Sequence, residues 1–528
     1  MSSFKLTYST MFDPPAELHS RFEEALITVR TYAGAEHAML IGGRDVRAAR
    51  QFDAKSPIDQ RNVLGRFQAG DATHAAAAVA SARAAFPAWS ATPWTERVAV
   101  LRRAVAHIEA RVFELGAVLA LEVGKNRMEA LGEAQETADL IAWYCDQMEA
   151  NDGYVRAMLR DPLPGFVSEN TSVLKAHGPW LVIAPFNFPF ALAGGPVGAA
   201  LVAGNTVVLK PASSTPWSAR LLALALRDAG VPPGAFNLVT GPGGSLGQSL
   251  LEHPDVAGVT FTGSYEVGMH LYRSIAAAPW PRPCIAEMGG KNAAIVSRHA
   301  DLKDAVTGIV RSAFGLSGQK CSACSRVYVE HTVFADFVAA LHGATAKIAV
   351  GDPTRREHWM GPVIDAAAVA RYEDAAAQVQ ALGADGAIVE GGLRLDRNDL
   401  AHGNFVAPTV ARAPLDHPLW SRELFAPFVL VAPVETIEEG IARANAGPFG
   451  LTAGFYGSAE ETERFFGSIE AGVTYANRPQ GATTGAWPGF QPFGGWKGSG
   501  STGRGGGSLY YLPQYLREQS QTRVRREG

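Results

Sequence analysis

One cysteine of this sequence lies in a glycine-flanked segment that suits a nucleophile. Cys321 follows the run Gly315-Leu-Ser-Gly-Gln-Lys, and a helical pattern over residues 302–314 and a strand pattern over residues 326–330 flank the segment. A nucleophilic thiol needs backbone N–H groups or a helix end to stabilise its thiolate, and a turn between a helix and a strand can provide them. Because a free cysteine is more often a small buried hydrophobic residue, spacing alone favours a structural role.

Three further polar side chains follow predicted strands, where open α/β sheets bind their ligands. The Asn187 amide could donate to an oxyanion, although an asparagine between prolines also stabilises a turn. The Lys210 ammonium would lie at the mouth of the sheet, or simply on the surface. Glu287 is a candidate general base whose pKa would be raised by burial, and the alternative is a cap or a pair with Lys291.

A phosphate-binding turn is predicted at Gly263 and Ser264, although the sequence has no GxGxxG fingerprint. The run Phe261-Thr-Gly-Ser-Tyr-Glu-Val-Gly follows a strand pattern and begins a helical pattern. The glycine allows a tight turn, and Ser264 with the N-terminal amides of the helix could contact a pyrophosphate. A Gly-Ser pair after a strand is also an ordinary turn, so both readings stay open here.

The elements that would position these residues alternate between strands and helices. Apolar runs at 180–184, 206–209, 236–240 and 256–262 are separated by helical patterns, which predicts a parallel sheet with crossover connections. A second series of strand and helix patterns extends from 292 to about 473. Together they predict an α/β protein.

Other segments predict further elements. The helix after residue 209 is predicted to begin with Thr215 as N-cap and Pro216 at its first position. Residues 153–175 predict a projecting hairpin, and residues 508–524 begin as an aromatic, strand-like run and become polar. Further helices are predicted over residues 15–32, 71–85, 95–119 and 127–148.

The composition is that of an ordinary globular protein and argues against several classes. The 528 residues suggest two or three domains at about 150 residues each, and a net charge of -4 lacks the basic excess of a nucleic-acid-binding protein. Four cysteines, without disulfide or zinc spacing, predict no metal site and a reducing, cytoplasmic location. The N-terminus lacks a secretory pattern, and the uncharged stretch 178–209 contains prolines and glycines unsuited to a membrane span.

From about residue 35 onward these segments resemble the signature motifs of the aldehyde dehydrogenase superfamily. The sequence Pro185-Phe-Asn-Phe-Pro resembles the family's oxyanion-amide motif, and Glu287-Met-Gly-Gly-Lys its general-base motif. The remaining matches are Lys210-Pro-Ala, Phe261-Thr-Gly-Ser, Gly318-Gln-Lys-Cys321, Glu423-Leu-Phe425-Ala-Pro and Pro492-Phe-Gly-Gly-Trp-Lys. The resemblance implies that Cys321, Glu287 and Asn187 are catalytic. It implies cofactor contacts for Lys210, Ser213, Gly241, Gly263, Ser264, Glu423, Phe425, Pro185 and Phe186.

Within the superfamily, the segment around the nucleophile resembles the 1-pyrroline-5-carboxylate dehydrogenase branch. The N-terminal Met11-Phe-Asp-Pro-Pro and the run that begins at Thr483 point the same way. In that branch the substrate's α-carboxylate and α-amino group are held by residues matching Ser322, Gly485 and Ala486. One departure is Trp487-Pro-Gly-Phe, where the family usually has smaller aliphatic residues, so the mouth of the site could differ.

The resemblance implies NAD-dependent oxidation of L-glutamate γ-semialdehyde to L-glutamate through a cysteine thioester. Ser213 stands where many NAD-preferring relatives have a glutamate that repels a 2′-phosphate, so NADP stays open as an alternative cofactor. Two alternatives in function remain at this point. One is a dehydrogenase of another carboxylated semialdehyde, such as succinate semialdehyde, and the other is a catalytically idle structural protein with the same fold.

The implied architecture is a Rossmann-type dinucleotide domain, an α/β catalytic domain and a small β oligomerisation element. We expect an N-terminal helical extension over 1–37, the dinucleotide domain over 38–153 and 177–288, and the catalytic domain over 289–490. Residues 154–176 and 505–528 would form the oligomerisation element. The expected partners are a small semialdehyde, further copies of the chain and, through function, a proline dehydrogenase, but neither nucleic acid nor a membrane.

Overall fold

A computed structural model describes residues 6, 14–479, 481 and 487–527. Its α-helices are α1 (Ala16–Arg30), α2 (Ala72–Ala91), α3 (Trp94–Ala110), α4 (Val112–Val123), α5 (Arg127–Ala150), α6 (Ala191–Val202), α7 (Pro216–Asp228), α8 (Ser245–Leu251), α9 (Tyr265–Ala276), α10 (Leu302–Phe314), α11 (His331–Thr345), α12 (Ala366–Gln380), α13 (Ile437–Asn445) and α14 (Ala459–Ser468). Its strands are β1 (Ala35–His37), β2 (Met39–Ile41), β3 (Arg44–Val46), β4 (Gln51–Lys55), β5 (Val63–Gln68), β6 (Val155–Ala157), β7 (Phe166–Ala176), β8 (Pro179–Ile183), β9 (Thr206–Lys210), β10 (Phe236–Leu238), β11 (Gly258–Thr262), β12 (Cys284–Glu287), β13 (Asn292–Val296), β14 (Cys324–Glu330), β15 (Ala387–Glu390), β16 (Thr409–Arg412), β17 (Phe428–Val434), β18 (Phe449–Gly450), β19 (Thr452–Tyr456), β20 (Val473–Ala476), β21 (Trp496–Lys497) and β22 (Leu516–Arg526).

The first large sheet has seven strands in the order β12-β11-β8-β9-β10-β2-β3. The strands from β12 to β10 are parallel, and β2 and β3 add an antiparallel edge. Strand β9 is buried along its whole length, as expected for a parallel strand covered on both faces. The parallel sheet predicted from alternating strands and helices is therefore confirmed.

The second large sheet has the order β15-β16-β17-β14-β13-β19-β20 and is parallel except for its β15 edge. Only four residues separate β12 at the edge of the first sheet from β13 near the centre of the second. The polypeptide crosses from the first sheet to the second between Glu287, at the end of β12, and β13, which pairs with β14. Since Cys321 lies three residues before the start of β14, the connection brings the predicted base and the predicted nucleophile to the same junction.

A third sheet forms an arm from β6, β7 and β22. Strand β22 pairs with all of β7, from Leu516 opposite Ala176 to Arg526 opposite Phe166. The predicted hairpin is confirmed, since β6 and β7 pair antiparallel. In the C-terminal tail, it is the polar segment, and not the aromatic one, that forms the strand β22. The aromatic part contains a 3-10 turn at Leu512–Tyr515, in which Leu512 and Tyr515 are buried, so the prediction of an aromatic strand is wrong.

Two further local predictions are wrong for reasons of tertiary packing. The helix expected over 95–119 is broken at Arg111, whose ψ of 18° separates α3 from α4. Thr215 makes no side-chain cap on α7. Instead, the buried Glu122 carboxylate accepts hydrogen bonds from the N–H groups of Trp217 at 2.5 Å and Ser218 at 3.1 Å. A distant carboxylate has taken over the capping role.

The extreme N-terminal part of the described chain adds a small sheet that the sequence analysis missed. Strands β1, β5 and β4 pair in the order β1-β5-β4, so the proposed domain boundary at 37/38 separates β1 from its partner. The uncharged stretch 178–209 folds into β8, α6 and most of β9, as predicted. Among the described residues, no helix is both long enough and apolar enough to cross a lipid bilayer.

Candidate active site

The nucleophile segment is a strained turn between α10 and β14. Leu316, Ser317 and Gly318 all have positive φ values of 48°, 54° and 65°. A β-carbon at Gly318 would overlap the Ala426 carbonyl, so only glycine fits there. The Ser317 hydroxyl donates to the Gly361 carbonyl oxygen at 2.7 Å, which helps to hold these left-handed conformations in place.

Asn292 fixes the main chain on the other side of this turn. Its side-chain Nδ2 donates to the carbonyl oxygens of Cys321 at 2.6 Å and Ala323 at 2.9 Å, while its Oδ1 accepts from the Thr452 N–H at 3.0 Å. A β-carbon at Gly290 would approach both the Asn292 amide and the Cys321 carbonyl. Asn292 therefore positions Cys321, and the sequence analysis missed it because an asparagine at the start of a strand has no distinctive local pattern.

Cys321 is half-buried and lines a cavity together with Glu287. Burial raises the pKa of Cys321 to about 12, and the charges of Glu423 and Glu287 act in the same direction, whereas the N–H groups of Ser322 and Cys321 oppose them. The N–H groups expected to stabilise a thiolate are thus present but outweighed. A raised pKa favours the protonated thiol at neutral pH, so the nucleophile needs a base to remove its proton.

Glu287 ends β12 and points into the same cavity as Cys321. Its Oε2 accepts the Gly495 N–H at 3.1 Å, rather than a proton of Lys291, while its Oε1 is buried without a hydrogen-bond partner among the described residues. Burial raises the pKa of Glu287 to about 8, as the sequence predicted in direction. A carboxyl group with one unused oxygen and a pKa near neutrality suits a general base.

Asn187 contacts the nucleophile turn from the first sheet. Its buried amide Nδ2 donates to the Gln319 carbonyl oxygen at 2.9 Å. The Gln319 side chain in turn accepts the Ile364 N–H at 2.8 Å through its Oε1. The amide predicted to donate to an oxyanion therefore contacts the main chain two residues before Cys321, and the Gln319 carbonyl oxygen is its present acceptor.

A buried ion pair supports the Asn187 loop where it enters α6. The Glu133 Oε1 accepts the N–H groups of Phe190 at 2.8 Å and Ala191 at 3.2 Å, and its Oε2 lies 2.6 Å from Lys125 Nζ. The same ammonium lies 3.4 Å above the centre of the Phe188 ring. Lys125 and Glu133 could not be identified from the sequence, because Glu133 lies within an ordinary helical pattern and Lys125 just before it.

Cys321, Ser322 and Glu287 line a cavity of about 110 Å³ between the two large sheets. Its walls are largely apolar, and Glu136 adds a carboxylate. Trp487 forms part of the wall and donates its Nε1–H to Asp139 Oδ2 at 2.7 Å. The predicted substrate contacts Gly485 and Ala486 lie outside the described residues.

The predicted cofactor residues of the first sheet lie at the ends of its strands. Lys210 ends β9 with its Nζ 3.0 Å from the Pro211 carbonyl oxygen, and burial lowers its pKa to about 8. The exposed Ser213 donates its hydroxyl to the Gly241 carbonyl oxygen at 2.9 Å. Ser264 is the N-cap of α9, and its Oγ accepts the Val267 N–H at 3.4 Å.

The rest of the predicted cofactor set lies near the junction between the sheets. The Gly263 N–H donates to the Glu287 carbonyl oxygen at 3.1 Å, which ties the phosphate-binding turn to the base. Glu423 Oε1 accepts the Gly290 N–H at 2.9 Å, and burial raises the pKa of Glu423 to about 7. Phe425, with φ of 53°, meets Phe186 edge to face at 5.7 Å. Half-buried Pro185 precedes Phe186.

The chain is similar in sequence and in structure to several known proteins. The family model described as "Aldehyde dehydrogenase family" matches residues 45–520. A 1-pyrroline-5-carboxylate dehydrogenase of Anoxybacillus flavithermus is 36% identical over 499 residues, covering 93% of this chain and 94% of the relative. The crystal structure of a Thermus 1-pyrroline-5-carboxylate dehydrogenase with bound NAD has a TM-score of 0.90 at 31% identity, with all of both chains covered. Proline utilization A from Bdellovibrio bacteriovorus has a TM-score of 0.89 at 32% identity, covering 96% of this chain and 51% of its own.

Proposed function

Because this chain belongs to the aldehyde dehydrogenase family, we propose that it oxidises L-glutamate γ-semialdehyde to L-glutamate with NAD as hydride acceptor. The observation that carries the proposal is the shared cavity of Cys321 and Glu287, a nucleophile and a base with a raised pKa. The names of the relatives support the substrate, since the 93% coverage extends across both large sheets. A glutamate semialdehyde would reach this chain from proline, and a proline dehydrogenase would supply it.

The residues of the cavity divide the reaction into two steps. The Cys321 thiol passes its proton to the Glu287 carboxylate, which releases it to solvent, and the Sγ thiolate attacks the aldehyde carbon. The Asn187 amide and the Cys321 N–H stabilise the resulting oxyanion once the amide leaves its Gln319 acceptor. Each such donor is worth about 3–4 kcal/mol in other enzymes. NAD, when bound, supplies the acceptor for the hydride. Glu287 then takes a proton from the water that hydrolyses the Cys321 thioester.

The donor set at the cofactor cleft fits a dinucleotide. The Glu423 side chain occupies the space that a β-carbon at position 289 would fill, so Gly289 permits a carboxylate to approach a ribose there. Ser264 at the N-terminus of α9 offers a hydroxyl and helix amides to a pyrophosphate. Ser213 carries no charge that would repel a 2′-phosphate, so NADP is the second candidate cofactor. Lys210 and Glu423 would orient the two riboses.

The Glu287 pKa sets an expected pH dependence for turnover. The group works as a base only when deprotonated, so kcat should rise with pH through about 8 and level off above it. We expect Glu287→Gln to lower kcat by roughly 10²-fold and to remove this rise. Steady-state rates at saturating substrate between about pH 6 and 9.5 would measure both effects. A wild-type kcat that is flat over this range, or the same rise in Glu287→Gln, would contradict the assignment.

The cavity wall suggests how the amino-acid end of the substrate is recognised. We propose that Ser322 contacts the α-carboxylate and that the Glu136 carboxylate contacts the α-ammonium group, since both residues line the cavity. Sequence reasoning missed Glu136, which lies on the polar-looking helix α5 with no motif around it.

A panel of semialdehydes with both cofactors tests this function. We expect kcat/KM to be at least about tenfold higher for glutamate semialdehyde than for succinate semialdehyde, which lacks the ammonium group. In Glu136→Gln this preference should shrink, while the rate with succinate semialdehyde changes little. A wild-type preference for succinate semialdehyde would contradict the substrate assignment but not the dehydrogenase chemistry.

We also propose that the chain forms a homo-oligomer through the β6–β7–β22 arm and works in the cytoplasm. The arm exposes large apolar side chains, among them Met158 and Leu159, the latter 91% exposed. Exposed apolar groups of this kind mark protein interfaces. The four cysteines are free thiols, which fits a reducing compartment.

A further inference from the structure

A chain of hydrogen-bonding side chains extends from the interior of the first sheet to the cavity. The Trp180 Nε1–H donates to Thr260 Oγ1 at 2.9 Å, and Thr260 Oγ1 lies 2.9 Å from the Tyr515 hydroxyl oxygen. The Tyr515 hydroxyl donates to the Tyr511 hydroxyl oxygen at 2.9 Å. All four side chains are buried.

The number of available protons fixes the direction of this chain. An indole N–H can only donate, so Thr260 accepts from Trp180. The single proton of Tyr515 is used toward Tyr511, so Thr260 must donate its own proton to Tyr515. The Tyr511 oxygen therefore accepts the Tyr515 proton, and the Tyr511 proton is left for an acceptor that is not one of these four side chains. Among the described residues, the Tyr511 hydroxyl has no such acceptor.

The row of hydrogen-bonded side chains ends at the cavity that Cys321 and Glu287 line. Tyr511 lines this cavity, and its ring is held by stacking on Tyr144 at 5.3 Å. Burial and the neighbouring tyrosines raise the pKa of the Tyr511 phenol, and the Glu287 carboxylate adds to the rise, which fits groups near one another. One cavity thus contains an uncommitted donor on Tyr511 and an uncommitted acceptor on Glu287 Oε1.

We propose that Tyr511 positions the water that hydrolyses the Cys321 thioester. This inference rests on the proposed function, because it assigns a residue to the second step. The water accepts the Tyr511 O–H and donates one proton to Glu287 Oε1. Its oxygen then bonds to the thioester carbon, the C–S bond breaks, Cys321 leaves as a thiolate and Glu287 keeps the proton. Polarisation along the chain strengthens the final donor.

Replacing Tyr511 with phenylalanine removes the hydroxyl and keeps the ring. With glutamate semialdehyde and NAD in a stopped-flow instrument, we expect a rapid NADH burst approaching one per active site in Tyr511→Phe. The burst rate should equal that of the wild type, and the following steady-state kcat should be about tenfold lower. Tyr515→Phe should give a smaller loss of kcat, because Tyr511 keeps its own O–H and loses only the hydrogen bond that it accepts from Tyr515.

Tyr372→Phe is the matched control. The buried Tyr372 hydroxyl donates to the Ala407 carbonyl oxygen at 2.9 Å, in the core beside the second large sheet, and Tyr372 does not line the cavity. Its burst and kcat should equal those of the wild type. Three results would overturn the role of Tyr511: an unchanged kcat, a change in KM alone, or a burst slowed as much as kcat. A wild type that forms no NADH with any semialdehyde would instead overturn the proposed function.

Discussion

Cys321→Ala is expected to lower the rate of NADH formation by at least about 10⁴-fold, because no other group in the cavity can form the covalent intermediate. Ser322, the adjacent residue, carries a hydroxyl, which is a weaker nucleophile than a thiol. The loss should appear in kcat with little change in NAD binding, since the predicted cofactor residues lie at other strand ends. Stopped-flow NADH absorbance and a fluorescence titration with NAD would measure the two effects.

Cys324→Ala provides a matched control within the same motif. Cys324 is buried, and its thiol donates to the Arg326 carbonyl oxygen at 3.5 Å, so the change removes a thiol of similar environment three residues away. Burial raises the pKa of Cys324 to about 12, as it does for Cys321. We expect Cys324→Ala to keep most of the activity. Substantial turnover in Cys321→Ala, or equal losses in both variants, would contradict the assignment of the nucleophile.

The parts of the site that sequence reasoning found depend on local signals. Helix α10 ends at Phe314 and a left-handed turn follows, as the glycines at 315 and 318 indicate. Glu287 could be found because an apolar strand ends in a carboxylate followed by two glycines. Such signals depend on residues a few positions apart, and the structure keeps them because the parallel sheets position the strand ends.

The parts that were missed depend on contacts between distant segments. Glu122 caps a helix that begins 94 residues later, and Asn292 holds a turn 29 residues away. The Tyr511 hydroxyl gains its direction only through Tyr515 and Thr260, which come from two separate segments. Because a helix-forming glutamate and a buried capping glutamate look alike in sequence, no local pattern distinguishes them.

The Lys125–Glu133 pair should be the most sensitive electrostatic element of the fold. Neither side chain has any exposed surface, and Glu133 also accepts the two N–H groups that begin α6. Removing one charge leaves the other buried without compensation, which costs about 3–5 kcal/mol. We therefore expect Lys125→Met to lower the free energy of unfolding by about this amount, measured by guanidinium denaturation at fixed protein concentration.

The double variant Lys125→Met/Glu133→Gln separates the cost of an unpaired charge from the loss of packing. Glutamine keeps an oxygen for the N–H groups of Phe190 and Ala191 but carries no charge, so most of the stability lost in Lys125→Met should return. The exposed pair Arg464–Glu438 is the control, and Glu438→Gln should change stability by less than about 1 kcal/mol. If the double variant is no more stable than Lys125→Met, the lysine acts through its contact with the Phe188 ring and not through charge balance. Because Phe188 follows Asn187, that result would tie the same lysine to the cavity wall.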